Sequence, residues 1–143
     1  MSKFVGLDAY DNDEKRESET GFEIDLAEGI SITVLRAGGA NKKFARTFTR
    51  IVGPFQRRIQ NKTLDDRTAD RLHYEVFAEA IVIDWKGIRV QGHDEDMPCT
   101  KENVVDLFTC QPDIFDIVRD VSGDMANFRL QEIADVVEPL GNS

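Results

Sequence analysis

A helical repeat broken by proline sets the first constraint on this chain. Between Asn41 and Gln60, the residues Phe44, Phe48, Ile51, Val52, Phe55 and Ile59 recur at three- and four-residue steps. With residues advancing by about 100°, all six fall in one sector roughly 100° wide, the pattern of a helix laid on a core. Lys42, Lys43, Arg46, Arg50, Arg57 and Arg58 occupy the opposite side. Gly53-Pro54 interrupts this pattern, because proline lacks the amide donor for the carbonyl of Arg50 and its ring crowds the preceding turn. The spacing therefore predicts a helix over 41–60, with Asn41 as its N-cap, that is kinked at Pro54 or divided there.

The same region carries an unusual charge distribution. From Gly29 to Leu64 there is no Asp or Glu, while eight Lys and Arg side chains are present. The whole chain has a net charge of −9, so the remainder is strongly acidic. Such a bipolar sequence can pair its two regions within one molecule, between identical subunits or with a charged partner. The overall acidity argues against attraction to nucleic acid or to an anionic membrane, both of which need a basic surface. No apolar run approaches the ~20 residues of a membrane span, and the N-terminus lacks a signal-peptide layout, so a cytoplasm is the expected location.

Around the basic segment the pattern changes twice. Phe22, Ile24 and Leu26 alternate with Glu23 and Asp25, and Ile30, Ile32 and Val34 resume the alternation after Glu28-Gly29. This reads as a short N-terminal β-hairpin over about 22–35, which must extend a larger sheet or pack on something else. Downstream, Leu72, Val76, Ala80 and Ile83 form one row and Phe77 and Ile81 the next, predicting a central helix over 65–85 that starts at Thr63 or Asp65 and is closed by Gly87. Residues 87–98 read as a loop or a short hairpin. Thr100 is placed to cap a helix over 100–110, and Pro112 suits the first turn of another. The recurrence of Ile114, Val118, Val121, Met125 and Phe128, then Leu130, Ile133, Val136 and Val137, extends that last helix over 112–137.

The expected fold class is thus mainly α, four to five helices with an N-terminal hairpin. At 143 residues and 41% hydrophobic content there is material for one core. Residues 1–20, rich in Asp and Glu, read as a mobile acidic arm, 21–138 as a single helical domain and 139–143 as a tail.

Patterns for chemistry are sparse. Cys99 and Cys110 lack the pairing or spacing of a disulfide framework or zinc knuckle and read as reduced thiols. His93, Asp94, Glu95, Asp96 and Cys99 form the densest group of possible ligands, but without the alternation and terminal glutamate of a calcium loop or a zinc spacing, so a solvated acidic turn is expected. His73 sits inside a helix with no placed carboxylate or serine partner. Phosphate-loop, dinucleotide, hydrolase and zinc-protease motifs are absent. No catalytic, metal or cofactor-binding residue is assigned and no cofactor is expected. The reading is a protein-binding module rather than an enzyme. The phenylalanines of the basic helix lie on its core side instead of interleaving with the arginines, which argues further against nucleic acid.

Four short blocks carry a family resemblance: Phe55-Gln56-Arg57-Arg58-Ile59-Gln60-Asn61-Lys62-Thr63-Leu64-Asp65 before a helix, then Asp84-Trp85-Lys86-Gly87, then Pro98 followed by Thr100-Lys101-Glu102-Asn103, and finally Asn127-Phe128. In order and spacing, over about 22–128, they resemble the small tail assembly chaperones of long-tailed bacteriophages. The resemblance implies a mainly helical, self-associating protein that uses no cofactor. It implies binding to the long, helical tape-measure protein in the infected bacterium, and absence from the mature virion. It further implies help to tail-tube subunits, in such families through a longer frameshifted product that recruits the tube protein. Alternatives from other classes are a structural virion subunit of the tail-completion or connector kind and an acidic nucleic-acid-binding regulator. For self-association or partner docking the candidate residues are Arg46, Arg50, Arg57 and Arg58. For apolar client contacts they are Phe44, Phe48, Phe55, Phe115 and Phe128.

Overall fold

Strand β1 (Phe22–Ala27) and strand β2 (Ile30–Val34) form the expected hairpin, but a third antiparallel strand, β3 (Val82–Lys86), pairs with the free edge of β2. This is a computed structural model, and it describes residues 3–130. Registers Ile24↔Ile32 and Ile32↔Trp85 put three apolar side chains in a row on one face of the sheet, and all three are buried. A hairpin alone is marginal in water. The third strand and the helices beneath it supply the missing burial.

Among the described residues, five α-helices complete the fold: α1 (Lys42–Val52), α2 (Gln56–Gln60), α3 (Asp66–Ala80), α4 (Lys101–Cys110) and α5 (Pro112–Gly123). The break at proline takes the form of a 3₁₀ turn, Gly53–Phe55, between α1 and α2. Helix α3 is central, with α1 and α4 packed against it. The ring of Phe115 joins the layers, meeting Tyr74 at 4.7 Å, Phe77 at 5.1 Å and Phe108 at 5.2 Å between centroids. Two helix starts follow the sequence closely. Asp65 accepts from the amide of Thr68 at 3.1 Å, and Thr100 accepts from that of Asn103 at 3.2 Å, each satisfying a donor that the first turn leaves open.

Four expectations are corrected. The helix predicted over 65–85 stops at Ala80, and Val82–Lys86 is a strand. An apolar run such as Ala80–Ile83 suits either state by periodicity, and the open edge of β2 decides it. Ile83, expected in the apolar row of the helix, is consequently 42% exposed. Gly87 therefore closes no helix; its positive φ of 75° lets the chain leave β3 past the hairpin turn, where a Cβ would collide with the carbonyl oxygen of Gly29.

The helix predicted over 112–137 ends at Gly123. Asp124 turns extended, its side chain accepts from the amide of Ala126, and a 3₁₀ turn (Met125–Phe128) delivers Phe128 into the core against Phe22. Residues 131–137 of that prediction, and the tail at 139–143, lie outside the described residues. Asn41, expected to cap α1, makes no such bond; its buried amide donates to the carbonyls of Arg36 at 2.9 Å and Ala80 at 3.0 Å instead, tying the start of α1 to the end of α3.

The acidic segment read as a mobile arm is, from Asp11 onward, packed on the domain. Asn12 bridges to Arg129 in antiparallel fashion, and the amide of Asp13 donates to the carbonyl of Phe128 at 2.7 Å. Residues Arg16–Thr20 form a single π-helical turn whose Glu17 is 2% exposed. Its carboxylate accepts from the Arg36 guanidinium and, at 3.0 Å, from the amide of Ala40. A charge this deep is tolerated only with such partners.

Two stability outcomes follow. Phe115→Ala is expected to cost about 3–5 kcal/mol, read as a lower urea midpoint at unchanged slope. Glu17→Ala is expected to cost about 3 kcal/mol by leaving the half-buried Arg36 guanidinium unpaired, whereas Thr100→Ala costs only about 1 kcal/mol by losing a cap. Equal midpoints for Glu17→Ala and the wild type would contradict the role given to this pair.

Candidate interaction surface

The basic side of α1 is exposed because its apolar side is used. Phe44 meets Phe77 edge-on at 5.6 Å and Phe48 meets the His73 ring at 6.1 Å, so the stripe of α1 leans on α3. Helical geometry then turns Lys42, Lys43, Arg46 and Arg50 to solvent. Lys42, Arg46 and Arg50 stand at successive four-residue steps, a like-charge row that disfavours an isolated helix by roughly 0.2–0.5 kcal/mol per neighbouring pair. Packing on α3 outweighs that repulsion.

The structure does not leave the row unopposed. Glu79 of α3 accepts from Arg50 and, at 3.0 Å, from Nζ of Lys101. One carboxylate thereby joins α1, α3 and α4. No sequence signal reveals this partner, since Glu79 is 29 residues from Arg50. Among the described residues no carboxylate pairs with Lys42, Lys43, Arg46, Arg57 or Arg58. Arg57 and Arg58 lie beyond the 3₁₀ turn in the last turn of α2, with Arg58 over the Phe55 ring at 5.8 Å. The four candidate arginines thus sit on two helices rather than one continuous row.

The five candidate phenylalanines separate into two groups. Phe44, Phe48 and Phe55 are half-buried at the margin of the core. Phe115 and Phe128 are 6% and 0% exposed. As core residues these two present no surface to a client.

The other chemistry-bearing groups have structural work. Nδ1 of His73 lies 2.8 Å from the carbonyl of Ala69, one turn back. Trp85 is buried, and its indole donates to the carbonyl of Met97 at 2.6 Å, pinning the 87–98 segment, which forms a loop. In that loop Asp96 accepts from the amide of Gly87 and from Arg89, and these bonds hold its carboxyl below the usual range. His93, Asp94, Glu95 and Asp96 line an open depression of about 350 Å³ there. Among the described residues no three His, Cys, Asp or Glu side chains converge as metal ligands. Both cysteines are free, and burial above all raises the Cys99 thiol to about 11. No described helix is long and apolar enough to cross a membrane.

The hydrogen bonds from Arg50 and then Lys101 lower the Glu79 carboxyl from 4.5 to about 2. A folded-state value below the unfolded one means that the stabilisation is complete above the ordinary carboxylate range and is lost as pH falls through the lower value. Glu79→Gln is expected to lower Tm at neutral pH, with the gap to wild type narrowing below about 4.5 and closing near 2. A gap independent of pH would show that charge at Glu79 stabilises nothing.

No curated protein and no solved structure matches the chain. Residues 39–139, however, match the family model of the YdaY prophage protein. That span holds α1 to α5 and β3 and begins after the β1–β2 hairpin. It covers more than two thirds of the sequence, and the chain belongs to the YdaY prophage protein family.

Proposed function

We propose that this phage-derived protein is a tail assembly chaperone, a non-catalytic binder that holds the tape-measure protein and assists tail-tube assembly. The observation that carries the reading is the exposed cationic side of α1, where Lys42, Lys43 and Arg46 have no carboxylate partner among the described residues. A client made of long amphipathic helices presents acidic stripes beside apolar ones, and a basic row flanked by half-buried phenylalanines is complementary to both. Phe44, Phe48 and Phe55 are the apolar candidates that retain surface.

The blocks that resemble tail assembly chaperones support the same reading at the level of architecture. Each coincides with a joint of the fold. Asp65 caps α3, Trp85 pins the following loop, Thr100 caps α4 while Asn103 donates to the carbonyl of Pro98 at 2.9 Å, and Asn127 donates to the carbonyl of Val121 at 3.0 Å. A shared order of joints supports a shared fold, and the client face is argued separately from charge. The protein acts in the host bacterial cytoplasm, self-associates, uses no cofactor and is absent from the finished particle. A frameshifted longer product recruiting the tube protein belongs to the same proposal.

Co-expression with the tape-measure protein of the same prophage tests this. The client is expected to stay soluble and co-purify, and Arg46→Glu with Arg57→Glu is expected to weaken capture by at least about tenfold, roughly 1.4 kcal/mol. A client that remains insoluble and never co-purifies removes the proposal. Stoichiometric copies in purified particles, measured by mass spectrometry, would favour a structural virion subunit instead. Arg50 is a poor probe, because its loss also disturbs Glu79. In light scattering the wild type is expected to exceed monomer mass, and the same double variant to reduce it; a monomer at all concentrations contradicts self-association.

A further inference from the structure

We infer that the basic side of α1 in one molecule receives the outer side of α5 of a second copy, with Ile117 seated on α1 between facing groups of opposite charge, and that a client must displace this contact. The inference deepens the self-association proposed above and rests on that reading for its client. Its first support is the side that α5 turns to solvent. Phe115, Val118 and Ser122 are buried, so helical geometry places Asp113, Asp116 and Asp120 outward, and all three are exposed. Ile117 stands among them and is 42% exposed. Arg119 lies 3.4 Å from Asp116 and 3.6 Å from Asp120. Among the described residues no other cation pairs with these three carboxylates, and the face stays net negative.

The complement lies on α1. Lys42, Lys43 and Arg46 have no carboxylate partner among the described residues, and beside them Ala45, Arg46, Thr49 and Arg50 line a shallow depression of about 410 Å³, with room for a branched aliphatic side chain. Spacing agrees as well. Asp113 to Ile117 is about 6 Å of helix, and so is Lys42 to Arg46, so two helices laid side by side bring knob to depression and carboxylates to cations at one register. Within one molecule these faces are not paired: α1 and α5 each lean on the Phe77 ring of α3, at 5.6 and 5.1 Å, and no ion pair among the described residues joins them. Pairing α1 with α1, or α5 with α5, would oppose like charges, whereas α1 with α5 opposes unlike ones. Since the two faces differ, every copy offers one of each. One helix against another buries less than the roughly 1,200 Å² of a standard interface, so the contact is weak enough to yield to a client. While it lasts it covers α1, which lowers the apparent client affinity by the fraction of molecules that are free.

Two charge-reversed full-length variants test this by sedimentation equilibrium. Lys42→Glu with Arg46→Glu inverts the basic face, and Asp116→Lys with Asp120→Lys inverts the acidic one. Each alone is expected to raise the dissociation constant for self-association at least about tenfold at low salt, and their equimolar mixture to return it to within about threefold of wild type. A mixture that associates no better than either variant alone overturns the proposal. Ile117→Ser leaves every charge in place and is expected to weaken association about threefold or more, and unchanged association overturns the seating of Ile117. Because Asp116→Lys with Asp120→Lys keeps α1 intact, it is expected to capture the tape-measure protein about threefold or more tightly at concentrations where the wild type is associated. Unchanged capture overturns the competition. A mixture that fails to recover while client capture persists removes this inference alone; recovery with no capture by any form removes the chaperone reading alone.

Discussion

The carboxylate of Glu17 is buried, and the polypeptide is arranged around its compensation. A carboxylate out of water costs several kcal/mol unless charge and hydrogen bonds replace its hydration. Arg36 at the exit of β2 supplies the charge, and the amide of Ala40, in the approach to α1, supplies a second donor. The backbone joins in, with the amide of Arg36 donating to the carbonyl of Glu17 at 3.0 Å and that of Ala37 to the carbonyl of Ser122 at 2.8 Å. Gly39, at φ +55°, lets the chain pass where a Cβ would come within 2.5 Å of both charged groups. The N-terminal segment, the hairpin, the start of α1 and the end of α5 are held at one point.

From that point the remaining contacts follow in sequence. Asn41, next to Ala40, gives its amide to Ala80 and so ends α3 where β3 must begin. With α3 ended there, Val82–Lys86 reaches the edge of β2, and Trp85 closes the row begun by Ile24 and Ile32. On the other side of α3, Phe115 of α5 gathers aromatic rings from α3 and α4, and Glu79 ties Arg50 and Lys101 at the surface above them. The proposed client surface is the outer side of a helix whose position is set twice, by rings beneath and by one carboxylate beside it. Rigid placement of a charged row is what a docking face requires, since ordering side chains on association costs affinity.

Membership of a prophage protein family gives this architecture a viral setting. The matched region begins just after Arg36 and Ala37, so the family span contains the helices while the hairpin that completes the sheet and the segment carrying Glu17 precede it. The core is nevertheless shared, because Ile32 and Val34 of β2 are fully buried beneath elements of that span.

Local pattern was sufficient for much of this structure. The hairpin, the split at Gly53-Pro54, the start of α4 at Thr100 and the exposure of the α1 arginines all follow from neighbours a few residues apart, where periodicity, dihedral limits and capping act. What tertiary structure decided lies at long separations. An apolar run at 80–83 became helix end and strand only because β2 offered an edge, Asn41 gave up a cap for a carbonyl 39 residues away, and Glu17 folded inward because Arg36 was there to meet it. Phe115 and Phe128 recur at helical spacing like the phenylalanines of α1 and yet are core, since spacing fixes which side of a helix is apolar and not what covers it. The sequence by itself determined the hairpin, the helix starts and the polarity of α1; only the assembled fold decided where α3 and α5 end, that Val82–Lys86 is a strand, and which charges are neutralised within the molecule and which remain exposed.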